Sequence, residues 1–184
     1  MGPKAVEYRE SIYVGYRYYD RAGVKPLFPF GHGLSYTKFE YSDLVVEPDR
    51  MADGGTLSVS FRIRNAGSTA GKETAQVYVR DVESTVFRPD RELKEFVKVS
   101  LEPGEEKVVR LQLDKRAFAF YDTQSKDWKV EPGEFEILVG ASSRDIRLKA
   151  RVYVESRDEA NTVAWNKREL LPSYYSPKPG WNIP

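Results

Sequence analysis

The chain contains no cysteine and a single histidine, His32. The first absence excludes disulfide staples, thiolate catalysis and Cys-rich zinc sites, and it leaves the redox compartment open. The second excludes a two-His metal site and any catalytic arrangement that needs a spare imidazole. No charge of one sign predominates: 29 Lys and Arg oppose 28 Asp and Glu, a formal net charge of +1. The two signs alternate along the chain, so neither a nucleic-acid partner nor a membrane surface is expected. Long apolar runs are missing as well. No 18-residue apolar stretch is present to span a bilayer, and the opening MGPKAVEYRE lacks the apolar centre of a signal peptide. In a piece of a longer protein that second absence says nothing about export. The expected chain is soluble, cytoplasmic or secreted according to what precedes it.

What is present is a core. Apolar residues make up 40% of the 184, enough for one ordinary domain with something smaller attached. Three textures follow one another. Residues 1–34 are aromatic and irregular, residues 35–155 alternate apolar and polar side chains, and residues 156–184 lose that period. In TLSVSFRIRN, Leu57, Val59, Phe61 and Ile63 alternate with Ser58, Ser60, Arg62 and Arg64, which predicts a strand with one buried face. The same period recurs in SYTKFEYSDLVV, ETAQVYVRD, KVVRLQLD, EFEILVG and DIRLKARVYV. Between these runs lie EPDRMADGG, NAGSTAGKE, LEPGEE, VEPGE and GASSRD, rich in the residues that reverse a chain. Strands so spaced, with no helical period between them, predict an all-β fold: an antiparallel sandwich of roughly seven strands. The immunoglobulin cysteine pair is missing, so the fibronectin type III variety fits best.

The candidate chemistry is sparse. LFPFGHGLSYTKF (residues 27–39) sets His32 between two glycines, with Ser35 nearby and Asp20 and Asp43 as conceivable orienting groups. Ser35 opens an alternating run with no nucleophile elbow around it, so His32 reads as a turn residue and not a catalytic base. The carboxylates of EPGEE and EPGEF fall on exposed turns, without the burial that raises a catalytic acid. Ser125-Lys126-Asp127-Trp128 lies in a polar hairpin, where Asp127 serves the turn and Trp128 covers a sandwich edge. No phosphate-cradling loop and no metal-ligand spacing occurs, so no catalytic residue, cofactor or metal is assigned.

YVGYRYYD and PLFPFGHGLSYTKFEYSDL, followed by RNAGSTAGKETAQVYV, RPDRELKEFVKVSLEPGEEKVV and WKVEPGEFEILVGASSRDIRL, resemble the C-terminal region of glycoside hydrolase family 3 β-glucosidases over roughly residues 6–154. The resemblance implies a fibronectin type III-like (immunoglobulin-like) sandwich at 35–155, preceded at 1–34 by the remnant of an α/β domain and a linker. That linker would pack on the catalytic body. Phe28, Phe30, Gly31, His32, Gly33 and Tyr36 would form an aromatic interdomain hinge. Residues 156–184 are an extension without a family counterpart. Its rings, Trp165, Tyr174, Tyr175 and Trp181, are expected to pack, and Asn161 could cap a short helix carrying Val163, Leu170 and Leu171.

Departures accompany the matches. Ser11 stands where the family commonly has glycine. The S-D-W-type nucleophile motif and the K-H-F-type segment before the acid/base glutamate are both missing, so no catalytic role carries over. Two functions follow: a non-catalytic domain bracing the catalytic domains of a parent β-glucosidase, or a free-standing carbohydrate- or protein-binding sandwich. For the second, an oligosaccharide would need exposed rings, and Tyr78 on the outward face of AQVYVR and Trp165 are the candidates. Phe61→Asp would put a charge in the core and is expected to abolish cooperative unfolding, as circular dichroism during denaturant titration would reveal.

Overall fold

The computed structural model describes residues 10–158. In chain order the elements are α1 (Tyr16–Arg21), β1 (Phe39–Glu47), β2 (Arg50–Met51), β3 (Thr56–Asn65), β4 (Gly71–Asp81), β5 (Glu92–Leu101), β6 (Glu106–Asp114), α2 (Lys115–Phe118), β7 (Phe120–Asp122), β8 (Asp127–Lys129), β9 (Gly133–Ser142) and β10 (Asp145–Val154). One sheet has the order β1-β3-β6 and the other β2-β10-β9-β4-β5, with β7-β8 a separate hairpin. Between the two sheets lies the core. From β3, Leu57, Val59, Phe61 and Ile63 point into it, facing Ala75, Val77 and Val79 of β4 and Phe135, Ile137 and Val139 of β9. Phe61 stacks on Tyr41 at 6.1 Å, and Phe118 meets Phe135 edge-on at 5.1 Å. Each such large side chain contributes about 1.5–3 kcal/mol by leaving water. The all-β sandwich expected from the alternation is the fold. No helix among the described residues is long and apolar enough to cross a membrane.

Four details differ from the sequence reading. First, β1 begins at Phe39 and not at Ser35. Residues 35–38 are held off the ladder because Thr37 turns its hydroxyl to Asn65 (2.5 Å) while Ser35 accepts the Thr37 amide (3.3 Å). Second, the pairing is not wholly antiparallel. Arg50 and Met51, inside the presumed turn EPDRMADGG, pair in parallel with Tyr153 and Val154, and Met51 is buried. Third, β5 is a full edge strand that the alternation did not single out, because its outward Phe96 interrupts the polar side of the pattern. Fourth, Tyr78 does point outward from β4, but it is 0% exposed, and Leu138 beside it is buried as well. Tyr16 of the aromatic N-terminal segment lies against the Tyr78 ring, so Tyr78 offers no sugar-stacking surface. Asn161, Val163, Trp165, Leu170, Leu171, Tyr174, Tyr175 and Trp181 lie outside the described residues.

Asn65, at the end of β3, ties the two sheets together at one end. Its side-chain nitrogen donates to Thr69 O (2.8 Å) and to Leu101 O at the end of β5 (3.1 Å). Its side-chain oxygen accepts from Gly67 N (3.1 Å) and from the Thr37 hydroxyl. Its backbone carbonyl accepts from Gly104 (2.9 Å), and its amide donates to Glu105 O (2.9 Å). The residue is fully buried, so truncation strands the Leu101 carbonyl away from water, while the partners at Thr37, Gly67 and Thr69 lie nearer the surface. Leaving such a group unsatisfied costs about 1–3 kcal/mol. Asn65→Ala is therefore expected to lower the unfolding free energy by about 2–3 kcal/mol, measured by chemical denaturation.

Candidate functional site

The resemblance placed interest on residues 1–34, and there the chain does something the period-two pattern could not indicate. From Glu10 to Thr37 it runs over the sandwich as an aromatic clasp. Gly15, at φ 55°, turns the chain into α1. This six-residue helix is fixed by its partners more than by its own bonds. Tyr16 accepts a hydrogen bond from the Leu93 amide (2.8 Å), stacks on Phe30 (4.9 Å) and meets Tyr78 edge-on (6.0 Å). Tyr13 is buried and its hydroxyl donates to Arg88 O (3.3 Å). Asp20 bonds Arg144 at 2.8 Å and faces Arg91 at 3.8 Å. Arg144 also donates to the carbonyls of Tyr19 (3.2 Å) and Val24 (2.8 Å), which fastens the end of α1 to the β9–β10 turn.

The turn PFGHG is fastened in the same way. The Ser143 amide donates to Phe30 O (2.9 Å), and the buried Gln76 amide nitrogen bridges Ala141 O (2.8 Å) and Gly31 O (3.3 Å). Tyr78 donates its hydroxyl to Gln76, and burial pushes the Tyr78 phenol well above its ordinary pKa, so it remains a donor. Gly31 has φ +78°, and a Cβ there would collide with the Gln76 amide. His32 sits on the surface, its ring stacked on Phe28 at 5.5 Å and its amide bonded to Pro29 O (3.0 Å).

Of the six expected hinge residues, Phe30 and Gly31 thus contact the sandwich itself. Others stand away from it. Phe28 is 66% exposed and Tyr36 100%, Phe30 itself is 48% exposed, and Leu27 (88%) and Leu34 (93%) beside them extend the apolar strip. This apolar strip is carried on a backbone pinned at residues 30–31 and again at Thr37.

Beneath the loop lies a polar cleft of about 750 Å³. Burial raises the Glu73 carboxyl above the usual range, and Tyr41 donates to it at 2.9 Å. Burial and the Glu73 charge together raise the Tyr41 phenol far above its ordinary value. Arg147 bonds Asp145 at 2.8 Å, which holds that carboxyl below the usual range with a smaller contribution from His32. The same guanidinium lies 3.8 Å from Glu73, donates to Phe39 O (2.9 Å) and covers the Tyr41 ring. With one arginine answering both carboxylates, the cleft is a clamp between β1, β4 and β10.

Ser35, His32, Asp20 and Asp43 are not brought together. Ser35 caps the Thr37 amide, Asp20 is held by Arg144, and Asp43 pairs with Arg62 (3.0 Å) on a bulge of β1. Ser125 and Asp127 belong to the β7–β8 hairpin. Ser125 bonds Asp122 (2.8 Å), Asp127 accepts the Trp128 amide (2.7 Å), and Trp128 packs edge-on to Tyr121 (5.2 Å).

Sequence reasoning missed Gln76, Asn65 and Arg144. Each is a polar residue whose distant partners lie 28 to 125 positions away, and for Gln76 and Asn65 the only local hint is an amide inside a strand of the core.

With this geometry the domain is a fibronectin type III-like sandwich, and residues 73–143 match the family described as the fibronectin type III-like domain. The domain and the segments around it match the C-terminal region of family 3 β-glucosidases. The chain is 62% identical over 151 residues to thermostable β-glucosidase B of Acetivibrio thermocellus, covering 82% of this chain and 20% of that protein. It is 49% identical over 141 residues to β-glucosidase BoGH3A of Bacteroides ovatus, covering 77% and 19%. Among solved structures, β-glucosidase 3B of Thermotoga neapolitana superposes with a TM-score of 0.75 at 49% identity, over 81% of this chain and 20% of that one. The Bifidobacterium adolescentis GH3 β-glucosidase gives 0.76 at 39% identity, over 82% and 22%. The chain therefore spans about one fifth of the length of the relatives it matches.

The clasp makes a paired prediction. Gly31→Ala is expected to cost about 1–3 kcal/mol in chemical denaturation, from strain at positive φ and displacement of Gln76. Gly33→Ala, with open space around it, should stay within about 0.5 kcal/mol of the unsubstituted chain.

Proposed function

We propose that this chain is the bracing module of a family 3 β-glucosidase and that its exposed apolar strip is the surface that meets the catalytic domains. In this reading residues 1–34 are the end of the preceding α/β domain with its linker, residues 35–155 the sandwich, and residues 156–184 an extension. Phe28, Phe30, Gly31, His32, Gly33 and Tyr36 form the interdomain contact. Phe30 and Gly31 hold the loop to the sandwich, while Phe28 and Tyr36, with Leu27 and Leu34, face the catalytic body. Hydrolysis of β-glucosides belongs to that body, and the sandwich holds it in place.

The observation that carries the reading is the near-complete exposure of Leu34 and Tyr36 on a fixed backbone. Scattered apolar residues on a surface are ordinary, but five within ten positions of one pinned loop mark an interaction surface. The match to about one fifth of longer β-glucosidases supports the same assignment.

The purified chain should bind the barrel and α/β domains of a family 3 β-glucosidase expressed without its own sandwich. The double variant Leu34→Ser, Tyr36→Ser should weaken that complex at least about tenfold while leaving the chain's own melting curve unchanged. No complex, or equal binding by the variant, would count against the brace.

A further inference from the structure

A separate cleft of about 470 Å³ lies between residues 11–17, the Val86–Pro89 loop and the β7–β8 hairpin, and no residue of the apolar strip lines it. Four cations, Arg17, Arg88, Lys94 and Arg116, and one carboxylate, Glu92, line it. Glu92 stands 3.3 Å from Arg17, Arg88 and Lys94 alike, and these neighbours hold it below the usual carboxyl range although burial opposes them. Arg88 is also matched by Asp81 at 3.1 Å. Arg116 lies over the Trp128 ring and pairs with no carboxylate among the described residues. Among the described residues, Glu92 and Asp81 set against the four cations leave two positive charges over. Lys94 is only 14% exposed, and burial draws its pKa down. Arg116, the cation without a carboxylate, is exposed, and an incoming anion would give it a charge-assisted partner beside the nearly buried Lys94.

The remaining wall is apolar and wet. Tyr121 and Trp128 are 45% and 41% exposed, and Ile12 at the mouth is 41% exposed. A cavity of this volume suits a small molecule, and its lining of rings beside a few fixed charged groups is the usual composition of a ligand site. Charge selects an anion, and the aromatic wall selects a ring that can lie against it.

We propose that this cleft binds a carboxylate borne on a six-membered ring, either a sugar acid or an aromatic acid. The carboxylate meets Lys94 and Arg116, and the ring packs on Tyr121 and Trp128. The proposal is independent of the bracing role.

The test is a titration of the whole chain at constant ionic strength with glucuronate, benzoate, glucose and acetate. The signals are heat and the Trp128 indole N–H resonance, assigned through Trp128→Phe. At least one ring carboxylate should bind saturably and at least about tenfold more tightly than glucose or acetate. Glucuronate alone assigns the sugar acid, and benzoate alone the aromatic acid. Lys94→Gln and Arg116→Gln should each weaken binding by at least about fivefold, with melting curves showing that both variants fold. The proposal is overturned if neither ring carboxylate binds saturably, if acetate or glucose binds as tightly, or if both variants bind as well as the original chain.

Discussion

Tyr78 points away from the core and is nevertheless sealed from water, and the arrangement of the N-terminal half of the molecule follows from that requirement. A two-layer sandwich buries only the inner faces of its sheets. Here the outer face of β4 and β9 carries Tyr78 and Leu138, two side chains that a polar surface would not hold. They need a third layer. Over Tyr78, Tyr16 with Phe30 stacked on it supplies that layer, and the Gln76 amide satisfies the polar groups that the layer would otherwise strand. Covering the sheet and positioning the PFGHG loop are therefore one event.

That coupling explains how a loop with five exposed apolar side chains can be well placed. Its anchor points, the Phe30 carbonyl and Gly31, are held from below by Ser143 and Gln76. The next fixed point, Thr37, is held by Asn65. Between them the chain projects Leu34 and Tyr36 with no support from their own side chains. Preorganisation of this kind lowers the entropy lost when a partner covers the strip. It also accounts for a backbone in which one glycine is obligatory and its neighbour two positions on is not.

Much of the fold was legible in the amino-acid sequence, because strand faces declare themselves by alternation. β3 is the clearest case: Leu57, Val59, Phe61 and Ile63 all reach the core. The reading faltered where a strand is buried on both sides or where a bond replaces a pattern. β4 is buried on both faces from Ala75 to Val79, so the outward position of Tyr78 is not an exposed one. β1 starts late because Thr37 bonds Asn65, a partner 28 residues away. The site was legible in part. The aromatic character of residues 27–36 was visible, but which rings face the sandwich and which face outward depends on Ser143, Gln76 and Arg144. Those residues lie far along the chain, and no local period reports them.

The account rests on the clasp and the sandwich forming one cooperative body, and amide hydrogen exchange on the isolated chain tests that directly. The Leu93 amide bonds the Tyr16 hydroxyl and the Ser143 amide bonds the Phe30 carbonyl, so their protection reports whether residues 16–30 are docked. The account predicts that both exchange only with global unfolding, at the same free energy as amides in the centre of β3. If these two amides exchange freely while β3 remains protected, the clasp is not part of the folded body and the account is wrong.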